Sequence, residues 1–242
     1  MIKKRFLSLV IAAISWIFLT GEGLLEGWLD CKSKASPTHD AICADKNLMK
    51  LYRKVIDTTG SIISVFVIDE MDDIIEANTI AWLSSCDDCD GSVVCLENEF
   101  KKRLAMFNGR DPDHPYTGTF YVERLGRMAL YPIGDEYLVG ISTAFMTRWT
   151  CWISAVGVRK GDKIFVTQYD YYDEDTMSFW MIPIGSSSMV IEDNPKIWEV
   201  QKIYCGLNGL FSGKYVRVPM PNTKFNDGVG FCRIVDEIAL GH

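Results

Sequence analysis

Apolar positions recur at helical spacing in the first half of the chain and at a spacing of two in the second. Ser36 and Pro37 form a cap and first-turn pair, which predicts a short helix running through Cys43. Asp45 can cap a second helix, in which Leu48, Leu51, Tyr52, Val55 and Ile56 share one face and which Gly60 can end. Residues 61–68 are rich in β-branched side chains and read as a strand. Helical spacing returns with Met71, Ile75, Asn78 and Trp82, and again with Leu96, Phe100, Leu104 and Phe107.

The run Asn-Gly-Arg-Asp-Pro-Asp-His-Pro at 108–115 interrupts both periods, because Gly, Pro, Asn and Asp favour turns. Beyond it, strands are expected at 117–123, 127–133, 136–142, 151–159, 163–169, 178–184 and 187–192. Leu125-Gly126, Gly134-Asp135, Gly161-Asp162 and Gly185-Ser186 supply short hairpin turns between them. Repeated hairpins imply an antiparallel meander, which closes into a barrel or folds into a sandwich. No helical pattern separates these strands, so a parallel α/β sheet is disfavoured. The expected class is α+β: a helical module followed by a small antiparallel β-barrel or meander.

The start of the chain has a different pattern. Lys3, Lys4 and Arg5 precede an apolar run from Phe6 to Leu19, followed by Gly21 and Gly23. That order is the secretory pattern, and the run is shorter than the roughly 20 apolar residues that span a bilayer. Trp28-Leu29-Asp30 before Cys31 is not a lipoprotein cleavage sequence. The expected organisation is therefore a signal peptide at 1–23, a helical domain at 28–107, a linker at 108–115 and a β domain at 116–242.

The chain of 242 residues carries a formal net charge of −7. Cleavage removes three positive charges and one negative one, Glu22, and takes the charge down by 2 to −9. Such a chain lacks the Lys/Arg excess that phosphate binding requires, so nucleic acid is excluded as a partner. It is steered instead toward basic partners, although acidity also serves solubility.

Eight cysteines change the picture further: Cys31, Cys43, Cys86, Cys89, Cys95, Cys151, Cys205 and Cys232. An even count behind a signal peptide argues for disulfides and a periplasmic or secreted location. Cys86 and Cys89 form a C-x-x-C, but no second pair stands at zinc-finger spacing, and His39, His114 and His242 do not cluster near it. Cys89 and Cys95 flank the turn between two expected helices, where a bridge would fix it. Five cysteines precede the linker and three follow it. If all eight are oxidised within one chain, at least one bridge joins the two halves. Cys86 is the candidate on the helical side, left over if Cys31, Cys43, Cys89 and Cys95 pair among themselves; a free Cys86 is the alternative.

Two blocks carry a resemblance to a known family. The first runs Leu-Asp-Cys31 through Ser36-Pro37 and Ala-Ile-Cys43-Ala to Leu48, Leu51 and Tyr52-Arg53. The second is Trp82-Leu83, Cys89, Cys95-Leu96, Phe100 and Arg103-Leu104. Together they resemble the N-terminal domain of the LprI-type lysozyme inhibitor family; Cys86 is additional to that pattern. The β domain is similar, through Gly118-Thr-Phe, the Gly134-Asp135 turn and the run Cys205 to Tyr215, to MliC-like lysozyme inhibitors. Those proteins insert a Ser-Gly-x-x-Tyr loop into the lysozyme cleft. The run Ser212-Gly213-Lys214-Tyr215 is one residue shorter.

The resemblance implies a non-enzymatic envelope protein that inhibits lysozyme by occluding its cleft, with Ser212, Lys214 and Tyr215 at the contact; the residues read by themselves make Lys214 a solvated strand residue and Tyr215 a barrel-core residue. Lysozymes keep one catalytic carboxyl protonated, and an ammonium beside it would hold it ionised. The acidic run at 170–175 adds Asp170, Asp173, Glu174 and Asp175, set beside two tyrosines, as a second candidate contact with a basic enzyme. Neither this run nor Asp87-Asp88-Cys89-Asp90-Gly91 has the alternating carboxylates of a calcium loop. The sequence contains no Ser-His-Asp arrangement, H-E-x-x-H, phosphate loop or G-x-S-x-G that would point to an enzyme, and it implies no cofactor or metal. An envelope binding or structural module with no lysozyme partner is the alternative function.

Overall fold

The computed structural model describes residues 28–33, 36–66, 68–122, 126–145, 149–168, 178–193, 195–205 and 209–219, excluding the side chains of 144, 145, 149, 168, 203 and 204. Four helices come first: α1 (Pro37–Ala44), α2 (Lys46–Ile63), α3 (Asp69–Ser85) and α4 (Val93–Phe107), with a short 3₁₀ turn at Cys86–Cys89. Eight strands follow: β1 (Gly118–Val122), β2 (Gly126–Ile133), β3 (Glu136–Phe145), β4 (Trp149–Lys160), β5 (Lys163–Gln168), β6 (Ser178–Ile184), β7 (Ser188–Ile191) and β8 (Gly213–Arg217). A fifth helix, α5 (Pro195–Tyr204), stands between β7 and β8. The strands form a closed antiparallel barrel in sequence order, with β8 returning to β1 through Phe120–Arg217 and Tyr121–Val216. Closure gives every strand two neighbours. The α+β arrangement of a helical module and a barrel is thus the observed one.

Local chemistry sets the helix starts. Ser36 Oγ accepts from the His39 N–H at 3.3 Å, and Pro37 opens α1. Asp45 Oδ1 accepts from the N–H groups of Asn47 and Leu48 at 2.7 and 3.0 Å. Each oxygen satisfies donors that a first helical turn leaves unpaired. The strand expected at 61–68 is not formed: α2 continues through Gly60 to Ile63 and ends in a turn. Ile62 lies wholly buried on the same face as Val55, and that burial outweighs the β preference of the local residues. Helix α5 is not anticipated in the sequence, and β8 bears out the reading of Lys214 and Tyr215 as strand residues.

Three apolar clusters hold the molecule together. One lies within the helical module around Ile42, Leu48, Leu83, Leu96 and Phe100. A second fills the barrel with inward residues such as Met128, Val139, Ile153, Val166 and Tyr215. The third joins the two parts: Val55, Phe66, Met71, Ile75 and Phe107 from the helices pack on Ala129, Tyr131 and Leu138 of the barrel wall. Each fully buried side chain of this size contributes about 1.5–3 kcal/mol. Gly140 permits the contact, because a Cβ there would stand 3.1 Å from the Phe66 ring.

A half-buried cation anchors the same joint. Arg103 donates to Asn78 Oδ1 at 3.0 Å and to the Tyr131 hydroxyl, and Tyr131 donates to Asn78 Oδ1 at 2.7 Å. Its guanidinium lies 5.1–5.6 Å from the ring centres of Trp82, Phe107 and Tyr131. Burial lowers the Arg103 pKa from its ordinary value and raises that of Tyr131. Aromatic faces and neutral oxygens therefore surround this cation.

Disulfides join Cys31 to Cys43, Cys89 to Cys95 and Cys151 to Cys205. The bridge from Cys89 to Cys95 fixes the turn into α4, as their positions predict. No described bridge crosses between the halves. Cys86 is a free, buried thiol that donates to the Trp82 carbonyl at 3.5 Å. Burial, with Glu99 and Asp87 nearby, pushes its pKa up to about 11. Cys232 lies outside the described residues. Three disulfides suit an oxidising compartment. Among the described residues, no helix is long and apolar enough to cross a membrane.

Candidate binding face

The two ends of the barrel are built differently. At one end, β2–β3, β4–β5 and β6–β7 turn back through short hairpins that place Gly134, Gly161 and Gly185 at positive φ. Arg217 locks the incoming linker there. It donates to the carbonyls of Thr117, Pro115 and Ser186, the last two at 2.9 and 2.6 Å. It also lies 4.5 Å over the Phe120 ring.

At the other end α5 forms a lid. Ile197 and Val200 point into the barrel core, joined by Phe211 from the segment after the helix. Gln201 is buried and its Oε1 accepts from the Phe211 N–H at 2.8 Å. The disulfide from Cys151 on β4 to Cys205 ties the end of α5 to the wall. Thr143 Oγ1 donates to the Leu210 carbonyl at 2.8 Å, fixing the segment that leads into β8.

This end exposes large apolar side chains. Trp198 on α5 is 56% exposed, Trp152 on β4 53%, and Leu210 38%. Cys151 and its register partner Thr143 are both buried, and Trp152, the next residue, stands on the outer face of β4. Trp198 donates its indole N–H to Asp193 Oδ1 at 2.6 Å, which sets the plane of the ring. Asp193, Pro195, Trp198, Glu199 and Lys202 line an open cleft of about 460 Å³. Lys202 Nζ pairs with Glu199 Oε1 at 3.0 Å, and both side chains are largely solvated.

Ser212, Lys214 and Tyr215, singled out in the sequence, lie on the segment that enters β8 from the same end. Lys214, the second residue of β8, is exposed and pairs in register with Val190. Ser212 is half-buried, just before the strand. Tyr215 is fully buried and donates its hydroxyl to the Phe211 carbonyl at 2.6 Å. Burial drives its pKa far upward. Tyr215 therefore belongs to the barrel core rather than to a surface that a partner can touch, and the run 212–215 is a strand entry rather than a projecting loop. Asp170, Asp173, Glu174 and Asp175 lie outside the described residues.

Sequence reading missed Trp198, Asp193 and Glu199. The signal was present in Asn-Pro before a run with Ile197, Val200, Gln201 and Tyr204 at helical spacing. Among the described residues, no three His, Cys, Asp or Glu side chains stand together in a way that could hold a metal ion. No family model, no curated protein and no solved structure matches the chain.

Proposed function

We propose that this is an exported, non-enzymatic protein of the cell envelope that inhibits a basic lysozyme-type hydrolase by seating the lidded end of its barrel against the enzyme's cleft. The single observation that carries this reading is that Trp198 is 56% exposed on α5 beside Asp193 and Glu199, with Trp152 and Leu210 also exposed toward that end. Exposed tryptophans are the residues most enriched among those that dominate binding energy, and carboxylates around them complement a basic surface. Acidity of the whole chain adds long-range attraction.

Occlusion needs no chemistry from the inhibitor. Lysozymes position two carboxyl groups across the scissile bond, one protonated as acid. Lys214 is free to pair with the ionised carboxylate, and its ammonium would lower the pKa of the other. The enzyme would then lose its proton donor as well as access to substrate. The test is c-type lysozyme activity titrated with the purified, oxidised protein. Saturable inhibition is expected, weakened by Lys214→Ala; unchanged potency in that variant removes Lys214 from the contact. An envelope module without a lysozyme partner is the outcome if no lysozyme type is inhibited at micromolar protein.

A further inference from the structure

From the geometry of the α5 cleft we infer a cation subsite: the Trp198 indole, flanked by the carboxylates of Asp193 and Glu199, takes a guanidinium or ammonium side chain of a basic protein partner. The inference rests on the proposed function for the identity of that partner, and on the cleft itself for its chemistry.

Three features select a cation. First, more than half of the Trp198 surface is open to solvent on a helix whose other side is buried in the barrel. Tryptophan offers the best aromatic face for a cation. Secondly, Asp193 accepts the indole N–H at 2.6 Å. That bond fixes the ring without covering its face, and a negative acceptor on the indole nitrogen enriches the ring electrons that attract a cation. Thirdly, the charges favour it. Among the described residues lining the cleft, Asp193 and Glu199 outnumber the basic Lys202. Lys202 is bound to Glu199 by a solvated pair, which is weak and can be shared with or displaced by an arriving guanidinium. A planar guanidinium can stack on the indole and bond a carboxylate with its edge, so arginine fits better than lysine. The cleft of about 460 Å³ lies within the range of small-ligand pockets, roughly 300–1,000 Å³, and readily holds one side chain. A phosphate or other anion would meet two carboxylates there and is excluded.

The test follows the Trp198 indole N–H resonance in the full oxidised protein by NMR. The cationic probe is N-acetyl-arginine methylamide; the controls are the citrulline analogue, of the same shape without the charge, and chitotriose as a neutral sugar. A saturable shift with the arginine probe is expected, with Kd on the order of 10 mM, and little or none with the two controls. Glu199→Gln should weaken it severalfold. In Trp198→Phe and Trp198→Ala, which lack the indole, the backbone amide resonances of Glu199 and Lys202 report binding instead: part of the shift should remain in the first and none in the second, while Trp180→Ala, exposed on the outer wall, leaves the Trp198 shift unchanged. An equal shift with citrulline, or a shift with chitotriose alone, overturns the inference.

Affinity for lysozyme, measured on the same variants, separates the two proposals. A loss of tenfold or more in Trp198→Ala supports both. Lysozyme binding without a cation-selective shift at Trp198 overturns the subsite and leaves the inhibitor standing. A cation-selective shift in a protein that binds no lysozyme overturns the inhibitor and leaves the subsite standing.

Discussion

The barrel's two ends perform the same topological task with different materials. At the hairpin end, successive strands turn locally, and Arg217 draws the linker onto the rim through three backbone carbonyls. At the lidded end, a helix fills the mouth and a disulfide holds its far end to β4. Local turns need few exposed side chains. A lid made of an amphipathic helix must bury one face and present the other, and here the presented face carries Trp198. The end that is closed by a long-range element is therefore the end with a surface to offer, as expected when a rigid scaffold positions its functional segments.

The largest test of this contrast removes the long-range tie. Cys151 and Cys205 are 54 residues apart in sequence, against 6 for Cys89 and Cys95. Loop-closure entropy makes the first bridge worth on the order of 4 kcal/mol and the second about 2 kcal/mol. Cys151→Ala/Cys205→Ala should lower stability by that larger amount in denaturant titration. Hydrogen exchange should accelerate first in α5, with the helical module little changed; uniform acceleration would show that the lid is not a separately held element.

Next in size is the hairpin end. Gly118 has φ +126, and a Cβ there would stand 2.4 Å from the Phe107 carbonyl oxygen. Gly118→Ala should cost about 2–3 kcal/mol, read from the denaturation midpoint, and leave α5 exchange slow relative to global unfolding. A substitution within 0.5 kcal/mol of wild type, taken as about the range of ordinary surface changes, would mean that the linker joint is slack.

A smaller effect tests the helical module. Burial, together with Asp69, Glu76 and Asp73, raises the Asp72 pKa to about 6. The folded state thus holds this proton more tightly than the unfolded chain. Stability contributed by that difference is present at low pH and is lost as pH rises from about 4 through 6. Asp72→Asn should stabilise the protein by about 1 kcal/mol at pH 7, after allowance for solvent screening, and by nothing below pH 4. Chemical denaturation at both pH values checks it; equal effects would exclude titration as the cause.

The least energetic test concerns Cys86. Its buried thiol, with a pKa pushed up to about 11, should resist alkylation in the native protein at neutral pH and react on unfolding. Peptide mapping without reduction should recover Cys31–Cys43, Cys89–Cys95 and Cys151–Cys205 as bridged pairs. Label on Cys86 before unfolding would contradict its burial.

What could be read in the sequence follows the same division. Hairpins were legible because period-two burial and Gly-containing turns are local signals; strands β2 to β7 lie close to their expected positions. The caps at Ser36 and Asp45 were legible for the same reason. Residues 61–68 misled because Ile62, Ile63 and Val65 favour strands in isolation, whereas their place depends on a barrel wall far along the chain. Asn-Pro and helical spacing signal helix α5, but its role as a lid was illegible for the converse reason. Helix α5 is short, and its apolar side has meaning only once eight strands have made a mouth to fill. In the sequence Arg103 stands only as part of an Arg-Leu pair; its role as the cation between three rings depends on Tyr131, 28 residues away. Lys214 and Tyr215 differ by one position, and strand parity alone sends one outward and the other into the core.

The most direct measurement of the central claim is lysozyme inhibition by the oxidised protein, compared between substitutions at the two ends. The account predicts saturable inhibition of a c-type lysozyme, lost in Trp198→Ala/Trp152→Ala and retained when the exposed Lys160 at the hairpin end is replaced by alanine. No inhibition at micromolar protein, or equal loss from either end, would contradict it.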